Sequence, residues 1–285
     1  MASVTLGHRA VLGIGGAEAE PFLQRLVTAN LDALDLGSRG RSLAPCALLS
    51  PQGKVLHEFT IARDGEGFRI DVSRAFLPDL ARRLMTYRLH AAVTFAPEPS
   101  ATVRAHWDEE APFRDMRFRG EIGRSYGPGE DTGTLSEWTR RRIGAGVAEI
   151  GTDYPGDEYF PHDLGLSQNG GVATAKGCYV GQEVVSRMHH RGTGRRRVAI
   201  LEADAPFPAP GTPVQSNGRP IGTLGSATAD APFLALAVLR IDRAADAVAA
   251  GGSITVGEVA VAPRVPPGAG WSLDPVPSPE TVATA

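Results

Sequence analysis

The sequence predicts an α+β protein whose last third forms an antiparallel β-barrel or small sandwich. Two patterns predict this class. In the first half, short apolar segments alternate with Gly- and Asp-rich turns, and amphipathic helical segments interrupt them. After Arg197, five strand-like segments follow one another at close spacing, which is typical of a small all-β unit.

The first half supplies strands and two helices. The predicted strands are residues 4–12, 42–50, 55–62, 68–72, 91–95 and 101–106. Helices are predicted over residues 17–28 and 75–89, because apolar side chains recur there at helical spacing. In the second helix that stripe is Phe76, Leu80, Leu84 and Tyr87. These elements together predict an α+β lobe.

The second half is predicted to begin with a loop. Residues 119–133 are rich in Gly, Asp and Pro, and a helix over 135–143 follows, with Thr134 as its cap. Residues 144–171 read as irregular. The later strands are predicted at 198–203, 213–216, 221–228, 233–240 and 253–261.

These elements divide the chain into a body, a barrel and a tail. The body covers residues 1–194 and has two lobes that meet near residues 107–134. The barrel covers residues 195–263. Residues 264–285 are proline-rich without apolar periodicity, so they are predicted to be disordered.

Composition excludes several classes of protein. The chain has 285 residues, of which 42% are hydrophobic and 21% charged, as in ordinary globular proteins. No apolar stretch approaches the roughly 20 residues that cross a bilayer, and the first residues lack a secretory signal. We therefore expect no membrane association and a cytoplasmic location. The net charge of −3 gives no overall attraction to nucleic acid, so direct binding is not expected.

Several cofactor sites are also not supported. Cys46 and Cys178 are too few to hold an iron–sulfur cluster, which takes about four thiolates. His189 and His190 are adjacent, so their rings converge poorly on one ion, and we expect no metal site. Glu18 occupies the third glycine position of a possible dinucleotide fingerprint, which excludes that motif.

The segment with the most chemistry is Lys176-Gly177-Cys178-Tyr179-Val180-Gly181-Gln182-Glu183, followed by Arg187. A thiol near Lys and Arg is a setting that stabilises a thiolate. Glu183 and Arg187 are four residues apart and are expected to pair across one turn of helix in a structural role. From composition alone, Cys178 also fits the commoner role of a small buried apolar residue.

The segment KGCYVGQE with its following arginine resembles the signature of the YgfZ family of folate-binding proteins. That family is related to the T protein (aminomethyltransferase) of the glycine cleavage system. Other segments also resemble the family, so that the similarity covers most of residues 5–263; they are residues 15–28, Trp138 with Arg142 and Gly146, residues 160–163 and residues 220–226.

The resemblance implies a fold, a ligand and a role. It implies an aminomethyltransferase-like folate-binding body of two α/β lobes plus a C-terminal antiparallel β-barrel. It implies tetrahydrofolate, or a one-carbon derivative, as cofactor and Trp138 as a residue of the folate site. The role it implies is assembly or repair of iron–sulfur clusters, with iron–sulfur assembly proteins or cluster-containing client enzymes, including tRNA-thiolating enzymes, as partners.

Cys178 is the candidate functional thiol in this interpretation. We expect it to face the folate cleft, with its thiolate favoured by Lys176 or Arg187. The remaining signature residues are assigned to the motif or to structure; they are Gly177, Tyr179, Gly181, Gln182, Glu183 and Arg187.

Whether the protein catalyses a reaction stays open at this stage. His57 and Glu58 stand where T proteins carry an Asp-Asp pair, and we expect both to face water at a strand edge. One alternative is a folate-dependent one-carbon (aminomethyl or demethylating) transferase. Another is a scaffold that binds partner proteins or RNA through the arginines of residues 187–197, without folate.

Overall fold

A computed structural model describes residues 2–34, 41–98, 100–108, 110–120, 122–191 and 194–274 of the protein, without the side chains of residues 189–191. The N-terminal part contains one nine-stranded sheet. Its strands are β1 Ala2–Thr5, β2 Arg9–Gly15, β3 Arg41–Leu49, β4 Val55–Asp64, β5 Gly67–Ser73, β6 Thr94–Glu98, β7 Val103–Trp107, β8 Phe113–Asp115 and β9 Ile122–Tyr126.

The strand order is β1-β7-β9-β8-β3-β4-β5-β2-β6, and the pairing is antiparallel except between β3 and β8. β1 lies at one edge and β2 is next to the other edge, yet only residues 6–8 separate them. Three residues can span only about 10 Å. The sheet must therefore curl until its two ends meet, which leaves room for a cavity beside it.

Within the described residues, four α-helices accompany this sheet and the chain that follows it; they are α1 Ala19–Gln24, α2 Leu77–Arg88, α3 Leu135–Gly144 and α4 Gln182–Arg191. α1 and α2 bury Phe22 and Leu80 in the main core cluster beside strand residues such as Ile70. α3 begins with a capping box, in which Thr134 and Glu137 exchange hydrogen bonds. The predicted cap at Thr134 is thus confirmed.

The C-terminal part is a seven-stranded antiparallel sheet with one helix. Its elements are β10 Arg196–Ala203, β11 Pro213–Ser216, β12 Arg219–Ala227, β13 Phe233–Arg240, α5 Ile241–Ala249, β14 Ile254–Val256, β15 Val259–Ala260 and β16 Ala262–Arg264. The order is β15-β14-β11-β12-β13-β10-β16. The two edge strands are consecutive in sequence and only Val261 separates them, so the sheet closes on itself almost completely. The predicted α+β class with a C-terminal barrel is confirmed.

Some predicted elements differ from the structure. α1 ends at Gln24 rather than near residue 28, because Val27 bridges to Leu48 and the Thr28 N–H donates to Ala47. β9 lies inside the predicted loop 119–133, since pairing with β7 and β8 overrides its Gly-rich composition.

Part of the predicted tail is also ordered. β16 pairs with β10, and Trp271 and Leu273 pack against the barrel core. The prediction of disorder is therefore wrong for residues 264–274; residues 275–285 lie outside the described part of the chain. Within the described residues, no helix is long and apolar enough to cross a membrane.

Candidate functional site

A cavity of about 690 Å³ lies between the large sheet, the end of α3 and the barrel. This volume falls within the range of roughly 300–1,000 Å³ that is typical of small-molecule sites. Its wall includes Glu58, Arg114, residues 116–120, residues 144–148, Tyr154, residues 164–166, residues 168–169, residues 197–198, residues 266–269 and Trp271. The fold assembles this wall from distant segments, so no contiguous motif could have revealed it.

Glu58 and Tyr154 form a buried polar part of the cavity wall. Glu58 is 2% exposed; its Oε1 accepts from Arg117 at 3.3 Å and its Oε2 accepts from the Ile150 N–H at 3.4 Å. The Tyr154 hydroxyl is buried and has no hydrogen-bond partner among the described residues. Buried polar groups are normally satisfied. Tyr154 lines the cavity, so an unsatisfied polar group lies in the wall of this space.

A buried ion network lies behind this wall. It contains four arginines and five carboxylates from separate strands, the turn after β8, helix α3 and the loop after it; they are Arg9, Arg117, Arg124, Arg142, Glu58, Asp71, Asp115, Glu149 and Asp153. Arg117 Nη2 lies 2.8 Å from Asp115 and its Nη1 lies 3.3 Å from Glu58 and 3.6 Å from Glu149. The network holds the cavity wall at the junction of sheet, helix and barrel.

The network sets different proton affinities for its carboxyls. Burial opposes ionisation of Glu149, but the His8 hydrogen bond and nearby arginines hold its pKa well below the ordinary value. Arg117 and Arg124 likewise outweigh burial and lower the pKa of Asp115. For Glu58 burial prevails over Arg117 and raises the pKa. Glu58 is thus easier to protonate than an ordinary glutamate, whereas Glu149 and Asp115 are harder to protonate than ordinary carboxyls.

Arginines and amides line the more exposed part of the cavity. Arg114 and Arg119 are exposed, and Arg197 is half-buried with Asp163 at 3.8 Å. The side chains of Gln168 and Asn169 also line the cavity. Guanidinium groups bind carboxylates with paired, charge-assisted hydrogen bonds. The cavity therefore combines a buried polar wall with a cationic exposed wall.

The structure corrects the expectation that His57 and Glu58 face water. Both are buried, at 1% and 2% exposure, because β4 lies between β3 and β5. Successive residues of a strand point to opposite faces. His57 Nε2 lies 3.0 Å from Asp79 on α2, whereas Glu58 lines the cavity. Burial lowers the pKa of His57 to about 4.

Trp138 lies one layer behind the cavity wall. It is 2% exposed, and its ring packs on Phe118 at 5.4 Å and on Trp107 at 6.4 Å between centroids. Arg124 Cζ lies 4.6 Å from the Trp138 ring centroid. Phe118 itself lines the cavity. Direct contact of Trp138 with folate stays a prediction; in the structure Trp138 supports a residue that reaches the cavity.

The signature segment docks on the turn between β3 and β4. Gly181 has φ +80°, and a Cβ there would lie 2.6 Å from the Ser50 carbonyl oxygen and 3.0 Å from the Gly53 Cα. Only glycine combines this backbone conformation with so close an approach. At the start of α4, Gln182 Oε1 accepts from the Tyr179 N–H at 3.2 Å. Gly181, Tyr179 and Gln182 therefore have structural roles.

Cys178 is exposed, and it lies outside the set of described residues that line the cavity. The two cations expected beside it have other partners. Lys176 Nζ donates to the carbonyl oxygens of Val27 and Ala29 at 2.8 and 2.7 Å, and burial lowers its pKa to about 8. Arg187 pairs with Glu183 at 2.6 Å, which confirms the predicted i,i+4 pair. Neither contact supports thiolate stabilisation at Cys178.

Metal ligands are not gathered in the described part of the chain. Within it, no group of three His, Cys, Asp or Glu side chains could hold a metal ion. The side chains of His189 and His190 lie outside the described residues. Gly177 is exposed, with nothing within 4 Å of a Cβ position, so packing does not require glycine there.

Sequence reasoning missed Arg117, Tyr154 and Trp271 as residues of the site. Arg117 and Tyr154 carry no local signal, because their importance comes from convergence of distant segments. Trp271 did offer a signal. A lone tryptophan in a Gly- and Pro-rich segment needs a packing partner, and the structure supplies one on the barrel.

Known proteins resemble this chain in sequence. The sequence profile of the CAF17 C-terminal beta-barrel domain matches residues 195–270. The iron-sulfur cluster assembly factor IBA57 homolog of Pyricularia oryzae is 30% identical over 231 residues, covering 72% of this chain and 58% of that protein. The tRNA-modifying protein YgfZ of Yersinia pseudotuberculosis is 24% identical over 304 aligned positions, covering 91% of both chains. The chain is thus similar to the YgfZ and IBA57 proteins.

Other relatives define the extent of the match. Human iron-sulfur cluster assembly factor IBA57 is 27% identical, covering 76% of this chain and 72% of the human protein. The chain spans about three fifths of the length of the first fungal relatives, at 58–60%. The aminomethyltransferase T structure from Bartonella henselae superposes with a TM-score of 0.65 at 13% identity, covering 93% of this chain and 85% of that one. The predicted aminomethyltransferase-like fold is confirmed.

Proposed function

We propose that this protein is a member of the YgfZ/IBA57 family, that it binds a reduced folate in its cavity and that it supports assembly or repair of iron–sulfur clusters in client enzymes. Relatives described as iron-sulfur cluster assembly factors support the role. The single observation that supports the ligand is the cavity itself, where buried Glu58 and Tyr154 and exposed arginines line one space.

The described residues fit tetrahydrofolate or a one-carbon derivative. The pterin is flat and has donors and acceptors along one edge, and the tail ends in carboxylates. The unpartnered Tyr154 hydroxyl and the Glu58 carboxyl are suited to such an edge. Phe118 offers an aromatic surface, and Arg114 and Arg119 offer charge to the carboxylates.

Each of these residues has a separate task in this proposal. Bound tetrahydrofolate would supply a carrier for one-carbon groups. Arg117 orients Glu58 through its 3.3 Å hydrogen bond, and Asp115 in turn fixes Arg117 at 2.8 Å. Burial raises the pKa of Glu58, so its carboxyl takes up a proton more readily than an ordinary glutamate. Trp138 positions Phe118 from behind.

We further propose that Cys178 acts on a partner protein. Its thiol is exposed on the surface loop that Lys176 fastens to Val27 and Ala29. A thiol in this position is accessible to a cluster assembly protein or a client enzyme. The cytoplasmic location expected from the sequence stays a prediction.

Calorimetric titration of tetrahydrofolate into the purified protein tests the ligand. We expect saturable binding, and Glu58→Ala should weaken it about tenfold or more, since a hydrogen bond to a charged or buried group contributes about 1.5–3 kcal/mol. Arg82→Ala is the control, because Arg82 is exposed on α2 and pairs with Asp79, outside the described lining. Absence of binding to the wild type would remove folate from the proposal.

Rescue in cells tests the thiol. In cells that lack the protein, wild type should restore the activity of cluster-containing tRNA-thiolating enzymes, and Cys178→Ser should not. Alkylation of the folded protein should modify Cys178 and spare Cys46, which is 0% exposed and whose pKa burial raises to about 11. Full rescue by Cys178→Ser would show that the thiol is dispensable.

A folate-dependent one-carbon transferase is the second candidate function. The observation that favours it is Glu58, a buried carboxyl with a raised pKa on the cavity wall, which is a setting for acid–base chemistry. Formaldehyde or methylene-folate production from methylated amines would identify this activity. Loss of that production in Glu58→Gln, with folate binding kept, would assign the chemistry to Glu58.

The arginines of residues 187–197 give less support to an RNA-binding scaffold. Those with described side chains have acidic neighbours within 4.0 Å: Arg187 has Glu183, Arg195 has Asp242, Arg196 has Glu158 and Arg197 has Asp163. Neutralised arginines attract phosphate less strongly. An RNA affinity that falls steeply with added salt would favour this scaffold instead.

A further inference from the structure

The segment of residues 265–274, here called the C-terminal strap, follows the last strand of the barrel and forms part of the cavity wall. Pro266, Pro267, Gly268, Ala269 and Trp271 all line the cavity. A turn within the strap is closed by a hydrogen bond from the Ala269 N–H to the Pro266 carbonyl oxygen at 3.1 Å. The cavity that Glu58 and Tyr154 line is thus completed by a segment near the C-terminal end of the described chain.

Both ends of the strap are fixed to the barrel. β16, immediately before it, pairs with β10, where Ile200 is opposite Arg264. At the other end, Trp271 and Leu273 pack against the barrel core cluster. The turn between these two fixed ends is the part of the strap that contacts the body.

The middle of the strap is seated closely on two residues of the body. Gly146, with φ +70°, contacts Pro266, and a Cβ at position 146 would overlap the proline ring. Gly268, also with φ +70°, covers Arg119, and a Cβ there would overlap the guanidinium group. Both glycines have left-handed backbone, so an added Cβ would be strained at either position and would have to displace Pro266 or the Arg119 side chain.

Trp271 is the tryptophan at the cavity surface. The chain has three tryptophans, and Trp107 and Trp138 are buried together at 2% exposure in another cluster. Trp271 is half-buried, with barrel side chains against it and the cavity beside it. Its indole offers a flat apolar surface with one N–H donor, a combination that suits a flat heteroaromatic ligand with polar edges.

We propose that the C-terminal strap is a ligand-contacting wall of the folate site, and that Trp271 is a binding residue that sets affinity for the pterin. This inference rests on the proposed function, because it assigns a further residue to the same site. Because Trp107 and Trp138 are buried and Trp271 lines the cavity, the proposal makes Trp271 the main source of the change in tryptophan fluorescence on folate binding.

Titration of tetrahydrofolate into wild type, Trp271→Ala and Trp271→Phe tests the proposal by calorimetry and fluorescence together. Trp271→Ala should raise the Kd about tenfold, as expected for loss of one aromatic contact to a heteroaromatic ring. Trp271→Phe should keep most of the affinity but lose the fluorescence change. If Trp271→Ala fails to fold, the Trp271→Phe fluorescence result decides.

Two glycines of the strap give a matched pair. Gly268→Ala should weaken binding, because the added methyl group must displace the strap or Arg119. Gly270→Ala is the control: Gly270 has φ +68°, so the strain is similar, yet its nearest atom would be Gln168 Cγ at 3.6 Å. Binding by Gly270→Ala should stay within about twofold of wild type, since ordinary van der Waals contact requires no displacement.

The outcomes separate the two proposals. If wild type binds tetrahydrofolate and Trp271→Ala and Gly268→Ala bind equally well, the role of the strap is overturned and the proposed function stands. If Trp271→Phe keeps the full fluorescence change, Trp271 is not the contact. If wild type does not bind tetrahydrofolate, both proposals fail together.

Discussion

His57 and Glu58 are neighbours on β4, and the strand sends their side chains to opposite faces of the sheet. Burial disfavours the charged form of both side chains. It therefore lowers the pKa of the histidine, which is charged when protonated, and raises that of the glutamate, which is charged when deprotonated. The pKa of His57 falls to about 4, and that of Glu58 rises. The neutral His57 ring donates a hydrogen bond from Nε2 to the Asp79 carboxylate. Hydrogen bonding from Arg83 lowers the pKa of Asp79 to about 2.

His57 should make the protein sensitive to mild acid. Its pKa is lower in the folded state than the ordinary 6.5, so the unfolded chain binds the proton first and stability falls as the pH drops from 6.5 towards 4. Between pH 7 and pH 5 this coupling amounts to about 2 kcal/mol. His57→Gln should remove that loss, as measured by urea unfolding at the two pH values.

The control for this measurement is His90→Gln, which replaces an exposed histidine just after α2. It should keep the pH response of the wild type. An equal pH response in wild type and His57→Gln would mean that His57 is not the group whose protonation destabilises the fold.

Single residues were predictable from sequence only where the relevant partner is close in the chain. Glu183 and Arg187 are four apart, and they pair as expected. Lys176 was expected beside Cys178, two positions away, but its ammonium reaches carbonyl oxygens at Val27 and Ala29. No local sequence pattern indicates that contact, because it depends on how the signature loop packs on the segment that follows α1.

At the scale of elements, the signature loop and α4 depend on one close backbone contact. The turn after β3 places the Ser50 carbonyl oxygen and Gly53 against Gly181, and Gly53 lies against Val184 of α4. The start of α4 is therefore fixed by the hairpin that also positions Glu58. This arrangement links the cavity wall to the loop that presents Cys178.

Gly181→Ala should detach this loop, whereas Gly177→Ala should not. A Cβ at 181 must enter a left-handed conformation and approach Ser50, so we expect a loss of roughly 2 kcal/mol or more in the free energy of unfolding. Gly177 has open space around it, and its substitution should cost less than about 0.5 kcal/mol. Denaturant unfolding of the two variants gives the comparison, and equal losses would contradict the contact.

Elements with strong alternation were predicted well, and elements defined by their neighbours were not. The predicted strands 213–216 and 233–240 match β11 and β13 exactly in their bounds. α5 was not predicted, since its buried residues Ala244, Ala245 and Ala247 form a weak apolar stripe. β8 and β9 were also missed, because the composition of their segments does not indicate strands; they form by pairing within the sheet, between β3 and β7.

At the scale of the whole molecule, Arg142 joins the body to the barrel. It extends from α3 and donates to Asp153 at 2.5 Å, to the Val147 carbonyl oxygen at 2.8 Å and to Ser226 of β12 at 2.5 Å. It is 4% exposed. Arg142 and its partners are all removed from water, so the free-energy cost of burying each group is offset only by its hydrogen bonds to the others.

Arg142→Met should destabilise the protein strongly. Removing one partner leaves Asp153 buried without its cation, and such losses cost about 3–5 kcal/mol. Arg141→Met is the matched control on the same helix, because Arg141 is 40% exposed and pairs with Asp108 at the surface. It should cost about 1 kcal/mol or less. Thermal unfolding of both variants measures the difference in stability. Similar unfolding midpoints would contradict the stabilising role assigned to Arg142.

The buried ion network explains why the site could not be predicted as a whole. Its members extend from Arg9 to Asp153, and each appears in the sequence as an ordinary surface charge. The fold was predictable because hydrophobic alternation is local. The cavity was not, because its residues converge only when the sheet curls.

The closure of the barrel by its final strand bears on how the protein is made. β10 emerges from the ribosome long before β16, the strand that covers its edge. Until then β10 presents unpaired backbone groups, and an open edge of this kind recruits other chains into aggregates. We therefore expect a premature stop codon shortly before residue 262 to give insoluble polypeptide, although every residue of the signature would already have been translated.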